Sequence, residues 1–217
     1  MWGSPYKKPN CSVKGIYAIN LDKSQDRWLH LQGLAKDKGI SIQRCPAIDG
    51  RLLSDRESLE LGVGVWGIRN ITPKRKAEIG CFLSHRKLLF NLSKLPYDDT
   101  TAYLILEDDI YFETNFRKYL DEACMNVPEN WDMFFLGYGE HKWSGNTPNP
   151  MIGHLGYAEG AYGYIVRAKF IPTLLPYLTI IAEPIDSLYC RLMKVFNIYG
   201  IKNRIIRHDY NQKSTIR

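Results

Sequence analysis

Short apolar runs of strand type alternate with segments of helical periodicity from the start of this chain, which restricts it to a sheet flanked by helices. The first run is Gly15-Ile16-Tyr17-Ala18-Ile19-Asn20. Ser24 then stands as a helix cap before Trp28, Leu31, Leu34 and Ala35, which share one helical face, and Lys38-Gly39 stops that helix ahead of a strand at residues 40–43. Ser54 and Glu57 have capping-box spacing for a short helix, followed by a glycine-rich stretch, residues 62–67, expected as a mobile loop. Thr72-Pro73 opens a long helix through Ala77, Cys81, Ser84, Leu88 and Leu92.

The alternation continues with strands at 103–106, 131–136, 162–167 and 204–207. Helices fall between them: one capped by Thr114, one at 168–178 and one at 185–196. Residues 138–160, crowded with Gly, Pro, Asn and Trp, are expected to form an irregular binding loop. The predicted fold is α/β, a single domain with a Rossmann-like, mixed and mostly parallel sheet covered by helices on both faces. Residues 1–14 are expected as a flexible extension and 15–217 as the domain. At 217 residues, 45% of them hydrophobic, one core is the expectation.

The most telling local feature is Tyr103-Leu104-Ile105-Leu106 running straight into Glu107-Asp108-Asp109. Adjacent carboxylates repel, and strand alternation would send Glu107 and Asp109 to one side at the edge of the sheet where α/β folds bind ligands. A hard divalent cation, Mn²⁺ or Mg²⁺, suits such oxygen ligands and leaves positions for phosphate oxygens. The alternative is a solvated turn. Lys plus Arg exceed Asp plus Glu by 29 to 23. That balance suits an anionic ligand or peripheral contact with an anionic membrane, but does not call for nucleic acid. The five cysteines form no CxxC pair and are odd in number, so neither a zinc cluster nor a disulfide framework is expected. With no apolar leader or membrane span, the chain is expected to be soluble and cytoplasmic.

Several blocks in order resemble glycosyltransferase family 25, which includes bacterial lipopolysaccharide and lipooligosaccharide sugar transferases and collagen hydroxylysine galactosyltransferases. They are residues 16–22 with Asp26-Arg27, Ala47-Ile48-Asp49-Gly50, Glu78-Ile79-Gly80-Cys81-Phe82-Leu83-Ser84-His85 and residues 104–109. Weaker matches are residues 160–164 and Pro184-Ile185-Asp186. The resemblance implies a GT-A type fold and Mn²⁺-dependent, inverting transfer of a hexose, galactose or glucose, from a UDP-sugar. The acceptor would be a hydroxyl on a glycan, a glycolipid or a hydroxylysine-bearing protein.

Under that resemblance Asn20, Leu21 and Arg27 would contact the uridine or its phosphates. Gly80, Ser84 and His85 would add donor-side contacts, together with Glu107 and Asp108. Asp109 and Glu107 would hold the metal. His208 would complete the metal site or stand as an exposed tail histidine, and Asp186 would serve as the catalytic base or as an ordinary helix cap. Two other classes stay open: a metal-dependent phosphohydrolase, and an inert nucleotide-sugar or glycan-binding relative.

Overall fold

The alternation becomes an eight-stranded mixed sheet in the computed structural model, which describes residues 9–61 and 72–211. β1 (Ser12–Asn20) pairs in parallel with β2 (Gln43–Pro46) on one side and β3 (Thr101–Glu107) on the other. Beyond β3 lie β8 (Gly163–Arg167), β5 (Met133–Gly137), β9 (Ile198–Ile201), β7 (Ile152–Ala158) and β6 (His141–Asn146), in that order. β5 and β9 run parallel, while β8 is antiparallel to both its neighbours and β7 to both of its own. β4 (Ile110–Phe112) and β10 (Ile206–His208) form a separate antiparallel ribbon.

Strand alternation sorts the core into two clusters. Tyr103 and Ile105 of β3, with Tyr164 and Val166 of β8, face α3 (Pro73–Leu92), α5 (Ile171–Leu174) and α6 (Ile185–Leu192). Ala102, Leu104 and Leu106, with Ile165, face α1 (Gln25–Asp37) and α4 (Phe116–Asn126). Helices therefore cover both faces of the mixed sheet, as the sequence predicts.

The caps explain several boundaries. Thr72 Oγ1 accepts from Arg75 N–H at 3.2 Å with Pro73 in the first turn of α3. Ser54 and Glu57 close a reciprocal capping box on α2 (Asp55–Glu60). Gly39 takes φ +62° after α1, the left-handed backbone that glycine adopts without strain.

Other boundaries differ from expectation. β1 begins at Ser12, so residues 12–14 belong to the sheet, where they extend the pairing with Thr101 and Ala102. The second strand starts at Gln43, because Ile40 and Ile42 pack against the α1–α4 cluster. In the helix after Thr114 the N-cap position falls on Asn115, whose side chain makes no capping hydrogen bond. The helix expected at 168–178 breaks into single turns at Pro172 and Pro176, and α6 ends at Leu192.

Residues 138–160 form the β6–β7 hairpin instead of an irregular loop, with the Trp143 ring lying where a side chain on Gly153 would sit, 2.5 Å from an added Cβ. β9, buried throughout, has no counterpart among the expected elements. The expected loop at 62–67 lies outside the described residues. Among the described residues, no helix is long and apolar enough to cross a membrane.

Candidate active site

The carboxyl ends of β1 and β3 lie side by side, with Ile19 in register with Glu107. β8 runs the other way, so its amino end reaches the same edge, and Glu107 N–H donates to Tyr162 C=O at 3.0 Å. The β4–β10 ribbon sets His208 opposite Ile110, one residue past Asp109. A cleft of about 490 Å³ opens over this junction. Among the described residues, seven of its lining side chains are carboxylates, including Glu107, Asp108, Asp109 and Asp186, against Arg27 and Lys74 as strong bases. This acidic lining belongs to a chain of formal charge +6, so the negative charge is concentrated in the cleft.

Arg27 of α1 bridges two of the acids. Its guanidinium lies 2.6 Å from Asp108 Oδ1 and also contacts Asp109 Oδ2, with all three residues buried. Burial pushes the Asp108 carboxyl up despite the pull of Arg27 and Asn20. For Asp109, burial is outweighed by His208 and Arg27, which together hold its carboxyl below the ordinary value. Glu107 is pushed well above the usual carboxylate range by burial and the charges of Asp109, Asp186 and Asp108, with Arg27 pulling the other way. Carboxylates crowded and displaced from their ordinary ionisation in a cleft are a feature of functional sites.

The expected shared side for Glu107 and Asp109 is not what forms. β3 ends at Glu107 and the chain bends through 108–109, breaking the strand alternation. Glu107 turns toward α3, 3.9 Å from His85 Nε2, while Asp109 meets His208 Nε2 at 3.5 Å. Asp109 Oδ1 and His208 Nδ1 are buried without hydrogen-bond partners. The His208 ring lies between Tyr162 and Tyr210, with centroids 5.2 and 4.8 Å away, so it is no loose tail residue.

Leu21, Arg27, Ser84, His85, Glu107, Asp108, Asp109, Asp186 and His208 all line the cleft. Asn20 stands behind it, 1% exposed: its amide donates to Asp108 Oδ2 at 2.6 Å and to Ser24 C=O, while its carbonyl accepts from Arg44. It orients Asp108 instead of facing a ligand.

Gly80 is likewise removed from the cleft. A Cβ there would lie 2.4 Å from Gly50 N, so the residue lets α3 press against the turn at 48–50. Ser84 pins the same turn, accepting from Ile48 N–H at 2.8 Å and donating to Gly80 C=O at 2.6 Å. Asp186 accepts from Ser187 N–H at 2.8 Å and from Gly160 N–H at 3.2 Å, which fixes its carboxylate from two elements.

The profile described as glycosyltransferase family 25 (LPS biosynthesis protein) matches residues 13–150, which include all of β1 but Ser12, α3 and the acidic junction. The chain belongs to glycosyltransferase family 25. A family 25 member from Drosophila melanogaster is 30% identical over 192 residues, covering 84% of this chain and 30% of its own length. Human procollagen galactosyltransferase 2 is 27% identical over 167 residues, covering 71% of this chain and 26% of its own. The human inactive glycosyltransferase 25 family member 3 is 28% identical over 144 residues, covering 61% and 23%.

This chain thus spans less than a third of the length of these family 25 relatives. A crystal structure of a glycosyltransferase involved in glycosylation of the major capsid of PBCV-1 shares the fold, with a TM-score of 0.50 at 8% identity, covering 93% of this chain and 96% of that one. Sequence reasoning assigned no role to Asp49, Glu78 or Tyr162, which also line the cleft. All three lie inside blocks that match the family, and that was the available signal.

Proposed function

We propose that this domain transfers a hexose from a UDP-sugar to a hydroxyl acceptor on a glycan, glycolipid or hydroxylysine-bearing protein, with inversion and with Mn²⁺ or Mg²⁺. The observation that carries the proposal is the cleft: seven carboxylates gathered at the ligand-binding edge of a family 25 fold. An anionic diphosphate is repelled by such a lining unless a cation intervenes. The unpartnered Asp109 Oδ1 fits that need, and Asp109 with His208, whose Nε2 stands 3.5 Å from it, would hold the ion. When bound, the cation neutralises charge on the departing diphosphate.

The remaining steps fall to the chain's own groups. Leu21 and Arg27, at the first strand-to-helix turn, face the donor, and Glu107 reaches it from the α3 side of the cleft. Asp186, its carboxylate fixed by two backbone N–H groups, takes the acceptor proton as the hydroxyl attacks the anomeric carbon. Arg27 has a second consequence: its ion pairs with Asp108 Oδ1 and Asp109 Oδ2 already neutralise part of the acidic cluster, which favours a binding-only member as the competing reading. Isothermal titration with UDP, with and without Mn²⁺, followed by a donor screen for UDP release, separates the two. Metal-dependent UDP binding with turnover supports the transferase, and metal-independent binding without turnover sinks it.

A further inference from the structure

On the α3 wall of the cleft, Cys81 and His85 stand four residues apart on one helical face, opposite Glu107 at the end of β3. Cys81 Sγ, a His85 ring nitrogen and a Glu107 carboxylate oxygen all lie within 4.8 Å of one another. His85 is 0% exposed, and its Nε2 has no hydrogen-bond partner. A buried polar atom left unpaired costs roughly 1–3 kcal/mol, so an orphan nitrogen directed at a thiol and a carboxylate needs an explanation.

The ring is held in place on its other side. Nδ1 pairs with Tyr164 Oη at 2.8 Å, and Tyr164 with Tyr189 Oη at 3.0 Å. With the proton on Nδ1, Nε2 offers a free lone pair toward the cleft.

From this geometry we infer that Cys81, His85 and Glu107 form a zinc site, distinct from the Asp109–His208 pair. The donor set decides the metal. Sulfur with imidazole and one carboxylate suits Zn²⁺, whereas Mn²⁺ and Mg²⁺ favour oxygen-rich sites. Tetrahedral bonds of about 2.0–2.3 Å place ligand atoms roughly 3.3–3.8 Å apart, so the three groups need to close by about 1 Å.

Binding converts the Cys81 thiol to a zinc thiolate and releases its proton to solvent. Burial, with the charges of Glu107, Asp186, Asp109 and Glu78, disfavours a free thiolate, and the same negative field attracts a dication. Three protein ligands leave a fourth position open toward the cleft for water or an added ligand. The inference goes beyond the transferase reading and does not rest on it.

The test uses the full chain stripped of metal by chelation. Zn²⁺ is titrated against a chromogenic chelator, and Co²⁺ serves as a spectroscopic stand-in. One Zn²⁺ per chain is expected, with a thiolate-to-cobalt charge-transfer band and a zinc-induced rise in Tm. Cys81→Ser should lose the band and weaken zinc binding tenfold or more, and Cys81→Ala should do the same should the serine variant fold poorly. Cys45→Ser should keep both signals. A band that survives in folded Cys81 variants, or wild-type protein that takes up no stoichiometric zinc, overturns the inference. Neither result bears on Mn²⁺-dependent UDP binding, which is measured separately.

Discussion

On the α1–α4 side of the sheet the buried strand residues include Leu104, Leu106, Phe134, Leu136 and Ile165. At the same depth on the α3–α6 side, His85, Tyr164 and Tyr189 form a hydrogen-bonded row whose open end approaches Glu107. An apolar face tolerates any filling of similar volume, while a buried polar row is stable only when each member has its partner. The first face therefore sets stability, and the second ties stability to the chemistry of the cleft. The acidic junction lies where the two faces meet, with Glu107 turned to one side and Asp109 to the other.

Substitutions should separate these roles. The largest effect is expected from Asp109→Ala, which should lower kcat/KM by about 10³-fold and abolish the metal dependence of UDP binding while preserving the circular dichroism spectrum. Unchanged turnover would remove Asp109 from the proposed site. Asp186→Asn should keep donor affinity and cost about 10²-fold or more in turnover. Equal losses in affinity and turnover would make Asp186 a structural cap.

On the apolar face, Leu104→Ala should cost about 3 kcal/mol in denaturant unfolding and leave UDP affinity in the folded protein unchanged. A shift in affinity would mean the two faces are not separable.

The smallest effect concerns Asp98, in the turn before β3. Its carboxylate accepts from the backbone and hydroxyls of Thr100 and Thr101, and these hydrogen bonds hold its pKa at about 2. Because the folded value lies below the unfolded one, this contribution is complete above about pH 4 and fades as pH falls toward 2. Asp98→Asn should flatten that part of the stability profile, as followed by Tm against pH. An unaltered profile would assign the acid sensitivity elsewhere.

Much of the frame could be read from the chain because its signals were local. Thr72-Pro73, the Ser54–Glu57 box and Lys38-Gly39 each act within a few residues. β3 is apolar on both sides and reads as a buried strand without any partner being known. The β6–β7 hairpin was hidden because β6 alternates half-buried and exposed residues and depends on cross-strand contact of Trp143 with Gly153.

In the site, the acidic triplet was visible, but the bend after Glu107 was not, since it follows from the ribbon that pairs Ile110 with His208. Asn20, Gly80 and Ser84 were recognisable as positions of interest. Their structural roles depend on partners at Asp108 and at residues 48–50, which spacing alone does not reveal, and Ser84 also lines the cleft.

The sheet order also has a consequence in time. β8 slots between β3 and β5, and β9 pairs on the far side of β5, so the partners of both earlier strands come later in the chain. At synthesis rates of about 5–20 residues per second, β3 waits several seconds with one edge unpaired. An apolar strand without proline or glycine is a ready template for association with another chain during that interval. The strand easiest to read in the sequence is also the one most open to wrong partners while the protein is being made.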